Sequence, residues 1–533
     1  MSSIKIKIND REITVPAGRT ILEAAKELNI DIPTLCYLDG CERFTSCMIC
    51  IVHEVNSDQL IPACTAPVTE GMEIVTDSEK VKGARRDTLD LLLSEHVGDC
   101  EAPCHRICPA NMNIPLMIRQ IQEKKFEDAI ITVKRDIALP AVLGRICPAP
   151  CENGCNRKFQ DEPVSICLLK RFVADIDLAR DSPYRPELKN KTGKRVAIVG
   201  SGPTGLSAAY YLIQEGHDCC IFDGNPKPGG MLRYGVDDER CPGSVLDSEV
   251  DRILELGIGF RPEHALGKQM TLDELRNDYD TVILAVGTID PEVFENSGIE
   301  LSSRGIVVNN KTFETSIPGV FSGGNAIGES RRAIRAAAHG KSIAYSANQF
   351  LNHSSVTGMS RRFNSMMGKI REDEVDELSR EAGKYGPILP DGGDEQGYTE
   401  SEAIKESMRC FHCDCRKPVS CRLRKYADAY GANRQRYKID GRKKFQRIDQ
   451  HDDVIYEPGK CIKCGLCIQI TKKEGEDLGL TFIGRGFDVR IGVPFNESLS
   501  QGLKRVAKLC IEACPTAALA GRTRSEELNH DEG

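Results

Sequence analysis

The feature that most constrains this chain is a glycine-rich turn between an apolar run and a helical pattern. Residues 196–199 (VAIV) predict a buried strand, and small and apolar residues at 206–213 predict a helix. Strand, G-x-G-x-x-G and helix in this order are typical of a dinucleotide-binding unit, in which the helix start binds a pyrophosphate. Asp223 follows the next predicted strand, 220–222, and is placed to bind a ribose hydroxyl; a turn without a ligand is the alternative. The turn residues assigned to the pyrophosphate are Gly200, Ser201, Gly202, Pro203, Thr204 and Gly205.

Three phrases after the turn narrow the choice of dinucleotide. They are residues 226–235 (PKPGGMLRYG), 279–287 (YDTVILAVG) and 315–325 (TSIPGVFSGGN). All three resemble the glutamate synthase small-subunit family and the flavin half of dihydropyrimidine dehydrogenase. The resemblance implies a three-layer Rossmann-type domain over residues 186–350 that binds FAD. Besides the turn and Asp223, the FAD-contacting residues that it implies are Gly230, Met231, Leu232, Gly287, Gly324 and Asn325.

Two departures from that family bear on function. The family closes its last phrase on aspartate where this chain has Asn325, whose amide can still accept a hydrogen bond from the ribityl chain. The family also inserts a second dinucleotide domain, for NAD(P)H, after the position of Gly287. Here only residues 288–314 precede the next family phrase, whereas one βαβ unit takes roughly 30 residues. We therefore expect a flavin domain that lacks its nicotinamide domain.

Length, charge and cysteine content limit the function further. The 533 residues predict three or more domains, and a net charge of −8 argues against nucleic acid as a partner. No apolar run approaches the ~18 residues of a membrane span. The N-terminus lacks a signal-peptide pattern, so a cytoplasmic protein is expected. Most of the 24 cysteines fall in short-spaced groups, which indicates metal ligands rather than disulfides.

The first cysteine group lies in residues 1–80 with the spacing C-x10-C-x2-C-x13-C. Alternating residues at 4–8 and 12–15 predict strands, and residues 20–28 predict a helix. The segment resembles the N-terminal [2Fe–2S] domain of the complex I large peripheral subunit and of iron-only hydrogenases. The resemblance implies a β-grasp, ferredoxin-like fold with one [2Fe–2S] cluster; a zinc site is the alternative. The four ligands would be Cys36, Cys47, Cys50 and Cys64.

An α-helical domain with two cysteine groups is predicted for residues 81–185. Charged and apolar residues at helical spacing predict helices over 81–93, 114–123 and 126–135. The segment resembles the N-terminal two-cluster domain of the glutamate synthase small-subunit family, in which the two groups interleave. The resemblance implies one [4Fe–4S] cluster on Cys108, Cys147 and Cys151 and a second on Cys100, Cys104 and Cys155.

Each of these two clusters needs a fourth ligand. We predict Cys167 for the first cluster and His96 for the second. His96 precedes Cys100 with three residues between them, a spacing that resembles a histidine-ligated cluster of the complex I large subunit. A surface histidine without a metal is the alternative for His96.

The region after the flavin domain divides into a polar segment and a cysteine-rich one. Residues 351–400 carry few bulky apolar residues and predict a linker. Residues 401–450 hold four cysteines within twelve positions, which predicts a further [4Fe–4S] site, with zinc as the alternative. Its ligands would be Cys410, Cys413, Cys415 and Cys421.

Residues 451–533 contain half of a two-cluster ferredoxin pattern. A C-x2-C-x2-C run and a later C-P are typical of a [4Fe–4S] domain in which the distal cysteine completes the cluster. The ligand positions of the other cluster hold Thr471, Lys504 and Ala507, which leaves Cys510 without partners. The segment resembles the ferredoxin part of formate dehydrogenases and complex I large subunits. The predicted ligands of the surviving cluster are Cys461, Cys464, Cys467 and Cys514.

Together these sites predict one FAD, one [2Fe–2S] centre and about four [4Fe–4S] centres. No nucleophile, catalytic triad, pterin site or hydrogenase cluster is recognisable, so no residue is assigned to catalysis. We therefore predict an electron-transfer subunit of a cytoplasmic multi-subunit oxidoreductase. By resemblance the partners include an NADH-flavin subunit, a hydrogenase, a formate dehydrogenase or another reductase, and electron bifurcation is one form that such a complex takes. The alternatives are a self-sufficient flavin reductase of glutamate synthase type and a scaffold with a vestigial flavin site.

Overall fold

The computed structural model of the protein describes residues 3–329, 332–437 and 441–522. The described chain folds as two compact units, each built from separate stretches of sequence. The predicted linker, residues 351–400, contributes to both units, and the predicted domain boundaries remain predictions. The first unit holds residues 3–102, 362–380 and the described chain from 413 on; the second holds residues 103–361 and 381–412.

The N-terminal domain of the first unit is a sheet packed on one helix, the β-grasp arrangement that was predicted. Alternate residues of the first two strands, including Ile6, Ile8 and Val15, form a dry core with Ile21 of the helix. Thr20 caps this helix. The strands that come first and last in the chain, Ser3–Ile8 and Glu73–Val75, pair in parallel, and the other neighbouring strands pair antiparallel. In spatial order the strands are Arg11–Pro16, Ser3–Ile8, Glu73–Val75, Ile51–Glu54 and Gln59–Pro62, and the helix is Ile21–Glu27.

The three helices predicted within residues 81–135 are confirmed. They span Glu79–Ser94 in the first unit and Ile114–Gln122 and Phe126–Lys134 in the second. Several short helices near the cysteine groups begin at a proline, which favours the first helical position. The other helices here are Pro103–Ile107, Pro140–Ile146, Pro150–Asn153 and Ile166–Leu178, with a 3-10 turn at Asn156–Phe159.

The Rossmann domain of the second unit is a parallel sheet with helices on both faces, the three-layer arrangement that was predicted. Along the central strand, Val196 and Ile198 join one apolar core, and Ala197 and Val199 join another. In spatial order the strands are Val320–Ser322, Thr281–Leu284, Arg195–Val199, Asp218–Phe222 and Gly259–Arg261. The helices are Pro203–Gln214, Met231–Tyr234, Gly243–Leu254, Leu272–Asp278 and Ala333–Leu351.

The connection between the last two strands of this domain is short, and all of its residues are described. A nicotinamide-binding βαβ unit is absent from residues 288–314, as their length requires. The elements present are the 3-10 turn Pro291–Phe294 and a small hairpin of Leu301–Ser302 with Gly305–Ile306.

Short elements make up the rest of the described chain. In the second unit they are the helices Gly393–Gln396 and Glu400–Ser407. In the first unit they are the helices Glu372–Ser379, Arg422–Ala429, Leu466–Lys473, Leu499–Gly502 and Ala507–Ala513. Two antiparallel strand pairs complete the C-terminal domain, Val454–Tyr456 with Leu519–Gly521 and Thr481–Ile483 with Arg490–Gly492. Across the described residues, no helix combines the length and apolar character needed to cross a lipid bilayer.

Candidate iron–sulfur and flavin sites

The N-terminal domain brings its four cysteines into a closed ring of neighbours. Cys36 interacts with Cys47, Cys47 with Cys50, Cys50 with Cys64, and Cys64 with Cys36. Each is at most 2% exposed. Contact with Cys47 lowers the pKa of Cys36 to about 5, and contact with Cys50 lowers the pKa of Cys64 to about 7, whereas the same contacts raise the pKa of Cys47 and of Cys50. Because thiolates are the form that binds iron, the ring fits a two-iron cluster.

Four cysteines of the helical domain line one cavity: Cys108, Cys147, Cys151 and Cys167. Cys147 lies against Cys108 and Cys167, and Cys167 lies against Cys151. Cys167, predicted as the fourth ligand, enters the cavity from the first turn of helix Ile166–Leu178. The arrangement fits a [4Fe–4S] cluster, which needs a thiolate at each of its four irons.

A buried lysine shares this cavity. Lys170 is 3% exposed, and its Nζ lies 3.8 Å from Sγ of Cys167 and donates to the carbonyl oxygen of Leu143 at 3.1 Å. Burial opposes the charge, but the four cavity thiols outweigh burial and hold the pKa of Lys170 above its usual value. Cys167 and Lys170 are three positions apart on one helix and therefore share a face. The three-residue spacing from Cys167 could have indicated that Lys170 lies at the cluster site, but Lys170 was not among the predicted site residues.

The C-terminal domain places its four predicted ligands around another cavity, within the first unit. Gly465 adopts a left-handed conformation (φ 75°) that turns the chain sharply into helix Leu466–Lys473. The turn directs Cys464 and Cys467 into the same space as Cys461 and Cys514. The apolar and aromatic side chains in the wall include Tyr456, Ile462, Leu466, Ile491 and Leu519.

Cys510 does not line this cavity. It is 1% exposed within an apolar core, and its thiol faces the carbonyl oxygen of Cys467 at 3.8 Å. Thr471, at another ligand position of the missing cluster, is also buried, and its hydroxyl donates to the carbonyl oxygen of Ile468 at 2.9 Å. Cys510 and Thr471, at positions that would hold the missing cluster, therefore contribute to the packing of the domain.

Cys100 lies beside cysteines with which the sequence did not group it. The main-chain N–H of Cys415 donates to the carbonyl oxygen of Cys100 at 3.2 Å. The thiols of Cys100, Cys415 and Cys421 interact electrostatically with one another, and each residue is less than a tenth exposed. This neighbourhood differs from the predicted grouping, which placed Cys100 with Cys104 and Cys155, and the assignment of ligands to clusters stays a prediction. Motif spacing could not reveal this neighbourhood, because 315 positions separate Cys100 from Cys415.

His96 lies in the same part of the first unit. The side chains of Lys460 and Arg434 interact with both His96 and Cys100. Nδ1 of His96 is buried and has no hydrogen-bond partner. Burial, assisted by the charge of Lys460, lowers the pKa of His96 to about 3, so the imidazole is neutral. Its role as a metal ligand stays a prediction.

Cys104, Cys155 and Cys410 belong to the second unit. The helix that carries Cys104 packs on Gly154, which precedes Cys155. The fully buried guanidinium of Arg409, next to Cys410 in the chain, lies near Cys155. The three cysteines thus occupy one region of the unit. Their roles as ligands, and that of Cys413 in the first unit, stay predictions.

One apolar core joins three of the cysteine sites in the first unit. Cys36 and Cys47 contribute to it from the N-terminal ring, Cys421 from its site beside Cys100, and Cys464 from the C-terminal cavity. Electrostatic contacts also link Cys464 to Cys36, and Cys421 to Cys514. The leucines and isoleucine that fill this core are Leu35, Ile49, Leu89, Leu93, Leu423 and Leu466.

The thiols around these sites stand apart rather than converging. Across the residues that the structure describes, no three His, Cys, Asp or Glu side chains meet closely enough to hold a single metal ion. In a [4Fe–4S] cluster each cysteine binds its own iron, so the four thiolates surround a volume rather than one ion.

The glycine-rich turn of the Rossmann domain is packed as its sequence predicts. A Cβ on Gly205 would collide with the carbonyl oxygen of Gly200, and a Cβ on Gly230 would lie 2.8 Å from Cα of Gly202. A Cβ on Gly202 would meet nothing within 4 Å. This open space at the start of helix Pro203–Gln214 fits a pyrophosphate bound by free backbone N–H groups.

Asp223 is buried beside the same turn. Its carboxylate accepts hydrogen bonds from the N–H and hydroxyl of Ser201, at 2.7 Å and 2.5 Å. It also accepts from the N–H and side-chain amide of Asn225, at 2.8 Å and 2.9 Å. Because these donors use its acceptor capacity, a ribose hydroxyl would replace the Ser201 hydroxyl or the Asn225 amide. Ribose binding by Asp223 stays a prediction.

The closing phrase of the domain packs over the same helix. Gly324, in a left-handed conformation (φ 68°), lies against the side chain of Thr204, and its N–H donates to Nδ1 of His339 at 3.1 Å. Burial lowers the pKa of His339 to about 4, so a neutral imidazole accepts this bond. Asn325 follows in the 3-10 turn Gly324–Ile327. The next helix is Ala333–Leu351.

The other predicted FAD contacts differ in their surroundings. Met231 is 65% exposed, whereas Leu232 is buried in the apolar core. Gly287 adopts a left-handed conformation (φ 76°) with open space around it. Met231 therefore offers an accessible apolar surface, and Gly287 leaves room for a ligand.

Comparison with known families matches three segments of the chain. Residues 1–79 match the 2Fe-2S iron-sulfur cluster binding domain. Residues 93–182 match domain II of dihydropyrimidine dehydrogenase, a 4Fe-4S cluster domain. Residues 177–340 match the pyridine nucleotide-disulphide oxidoreductase family.

Curated relatives match part of the chain. The β subunit of NADP(+)-dependent formate dehydrogenase from Moorella thermoacetica is 36% identical over 41% of this chain and 32% of that protein. The β subunit of NADPH-Fe(3+) oxidoreductase from Geobacter sulfurreducens is 38% identical over 35% of this chain and 28% of that protein. The PreT subunit of NAD-dependent dihydropyrimidine dehydrogenase from Salmonella typhimurium is 38% identical over 35% of this chain and 46% of that protein.

In each of these three cases the match spans less than half the length of the relative. The three family matches follow one another along the chain and coincide with the cysteine ring, the helical-domain cavity and the glycine-rich turn. Those sites fit [2Fe–2S], [4Fe–4S] and FAD groups respectively. The three segments are therefore similar to a 2Fe-2S domain, to the 4Fe-4S domain of dihydropyrimidine dehydrogenase and to a pyridine nucleotide-disulphide oxidoreductase domain, and the chain is an iron–sulfur flavoprotein oxidoreductase.

Proposed function

We propose that this chain is a relay subunit that passes electrons between partner subunits of a cytoplasmic oxidoreductase complex. The observation that carries the proposal is the short connection at residues 288–314, which cannot contain a nicotinamide-binding unit. A hydride donor must be held with its reacting carbon close to the flavin, because positioning supplies much of the rate. Without that domain, the flavin must exchange electrons by another route.

The cysteine sites offer that route. In the first unit, three of them share one apolar core, which excludes water from the space between them. In the second unit, the helical-domain cavity is built from the same segment that matches a known cluster domain. FAD, when bound, converts between two-electron and one-electron transfer. The chain's own residues hold the groups in place: the glycine turn binds the pyrophosphate, and thiolates hold the clusters.

The partners that we propose are catalytic subunits that supply or accept electrons. The relatives named above are subunits of a formate dehydrogenase, an Fe(3+) reductase and a dihydropyrimidine dehydrogenase, which supports a partner that carries its own substrate site. A complex that reduces two acceptors of different potential from one donor would be electron-bifurcating. Purification with native partners, followed by assays with paired acceptors, tests that form of the proposal.

Anaerobic stopped-flow spectroscopy of the reconstituted full chain tests the relay. We expect that NADH and NADPH bleach the flavin band no faster than a buffer control, whereas a low-potential one-electron donor reduces the clusters first and the flavin afterwards. Rapid bleaching by either nucleotide before any cluster change would contradict the proposal and favour a self-sufficient reductase. A chain that binds no flavin after reconstitution would favour the scaffold.

A further inference from the structure

We infer that Cys100, Cys415 and Cys421 form one iron–sulfur site together, with His96 as its fourth ligand. The site joins two sequence motifs that lie on opposite sides of the flavin domain in the chain. The inference does not depend on the proposed relay function, because its evidence is local geometry and its readout is iron content.

A backbone hydrogen bond joins two of the three cysteines, and the third caps a neighbouring helix. Cys415 donates its N–H to the carbonyl oxygen of Cys100 at 3.2 Å, and Cys100 donates its own N–H to the carbonyl oxygen of Ser365 at 3.0 Å. Ser365 returns its N–H toward Sγ of Cys100 at 3.4 Å. Cys421 caps helix Arg422–Ala429, and its Sγ accepts the N–H of Arg424 at 3.5 Å. The N–H groups of Ser365 and Arg424, which point at sulfur, favour thiolate over thiol.

Buried cations complete the surroundings that an anionic cluster needs. Arg424 pairs with Glu101 at 2.6 Å, next to Cys100, and interacts with the Cys100 thiol. Lys460 is 4% exposed and interacts with Cys100 and Cys415. Glu457 also contacts Lys460, so the cation is anchored on one side while it faces the thiols on the other. Both cations have a carboxylate partner and also interact with the thiols, so that an anionic cluster would be a second partner for them.

His96 is the fourth ligand of this site. Its Nδ1 is buried without a hydrogen-bond partner, which is unusual for a polar atom inside a protein. Lys460 interacts with His96 as well as with two of the three thiols. Arg434 donates to the carbonyl oxygen of His96 at 2.8 Å and also interacts with Cys100. A cluster iron would satisfy the orphaned nitrogen.

Additivity of iron loss tests whether the three cysteines share a site. The full chain is reconstituted anaerobically as wild type, Cys100→Ser, Cys415→Ser and the double variant. We expect each single variant to lose about four irons and the double variant to lose no more than either single one. The matched control joins Cys100→Ser with Cys151→Ser, whose thiols lie in different units, and should lose about eight irons. Additive loss in Cys100→Ser/Cys415→Ser would overturn the inference.

A second measurement covers variants that fail to fold. In the iron-free wild-type chain, a short bifunctional thiol reagent should link Cys100 to Cys415 or Cys421, as identified by peptide mass spectrometry. Absence of those links, with Cys36–Cys47 links present as the positive control, would contradict the inference. To test the fourth ligand, the His96→Cys variant should retain the iron of this site, and the paramagnetic resonance spectrum of the cluster should change. An unchanged spectrum would exclude His96 and leave the site with another ligand.

Discussion

The helical-domain cavity and the C-terminal cavity each present four cysteines, yet they differ in the charge buried beside them. In the helical domain, the Lys170 ammonium lies 3.8 Å from a ligand sulfur. In the C-terminal domain, no lysine or arginine is among the described residues that line the cavity. Lys417 donates to the carbonyl oxygens of Ile511 and Cys514, and the partly exposed Lys463 interacts with the Cys461 thiol. Two sites with an equal count of ligands therefore have different electrostatic surroundings.

That difference sets an expected order of reduction potentials. Reduction adds negative charge to a cluster, and net charge and burial are among the terms that set its potential. A fixed ammonium stabilises the reduced form, and Coulomb attraction over 4 Å is worth about 4 kcal/mol at an effective dielectric of 20. The helical-domain cluster should therefore be reduced at higher potential than the C-terminal cluster, and electrons should settle in the helical domain.

Loss of a ligand is the largest expected effect and tests whether the two cavities are separate sites. Cys151→Ser and Cys514→Ser should each remove about four irons, and together about eight, because each variant lacks one ligand of a different four-iron cluster. Iron analysis and paramagnetic resonance should show that each variant loses a different signal. A common signal lost by both would remove the basis of the comparison.

Removal of the buried charge tests the cause of the difference. In Lys170→Gln, the ratio of reduced to oxidised helical-domain cluster at a fixed potential should fall at least tenfold, which corresponds to about 59 mV for one electron. Redox titration followed by paramagnetic resonance measures it, and the C-terminal signal in the same sample should not move.

Lys134→Gln is the matched control for that charge. Lys134 is also buried in the helical domain, 7% exposed, but it pairs with Asp177 at 3.2 Å and does not line the cavity. Its variant should leave the cluster potential within experimental error of the wild type. An equal shift in both lysine variants would show that general damage to the domain, rather than the cavity charge, moves the potential.

The smallest effect is expected outside both cavities. Cys510→Ala should retain all of the iron, because this thiol faces a backbone carbonyl rather than the C-terminal cavity. Its removal should cost about 1 kcal/mol of stability, since a small cavity opens in an apolar core. Loss of the C-terminal cluster signal in this variant would show that Cys510 is a ligand after all.

Local spacing was enough to predict much of the fold and of these sites. The G-x-G-x-x-G turn at Gly200 and the alternation at residues 4–8 each describe one element and its neighbour, and the structure has both. Cys167 was predicted because one cluster lacked a fourth ligand, and it lines the same cavity as Cys108, Cys147 and Cys151. In these cases the contacts are close in sequence or follow a known motif.

Contacts between distant segments could not be predicted in this way. The spacing of residues around Cys100 does not predict its contact with Cys415, because the whole flavin domain lies between the two residues in the sequence. The charge of Lys170 was missed for a different reason. A lysine in an amphipathic helix is normally solvated, and only the packing of the surrounding helices shows that this one is buried.

The apolar core shared by Cys36, Cys421 and Cys464 has a consequence for the speed of electron transfer. When an electron moves between centres, solvent dipoles around both must reorient, and that reorganisation energy slows the step. Leucine and isoleucine side chains have no dipoles to turn, and water is kept from the space that they fill. Hops among the three sites can therefore be fast even where their potentials are nearly equal, so that electrons equilibrate across the first unit before a slower partner collects them.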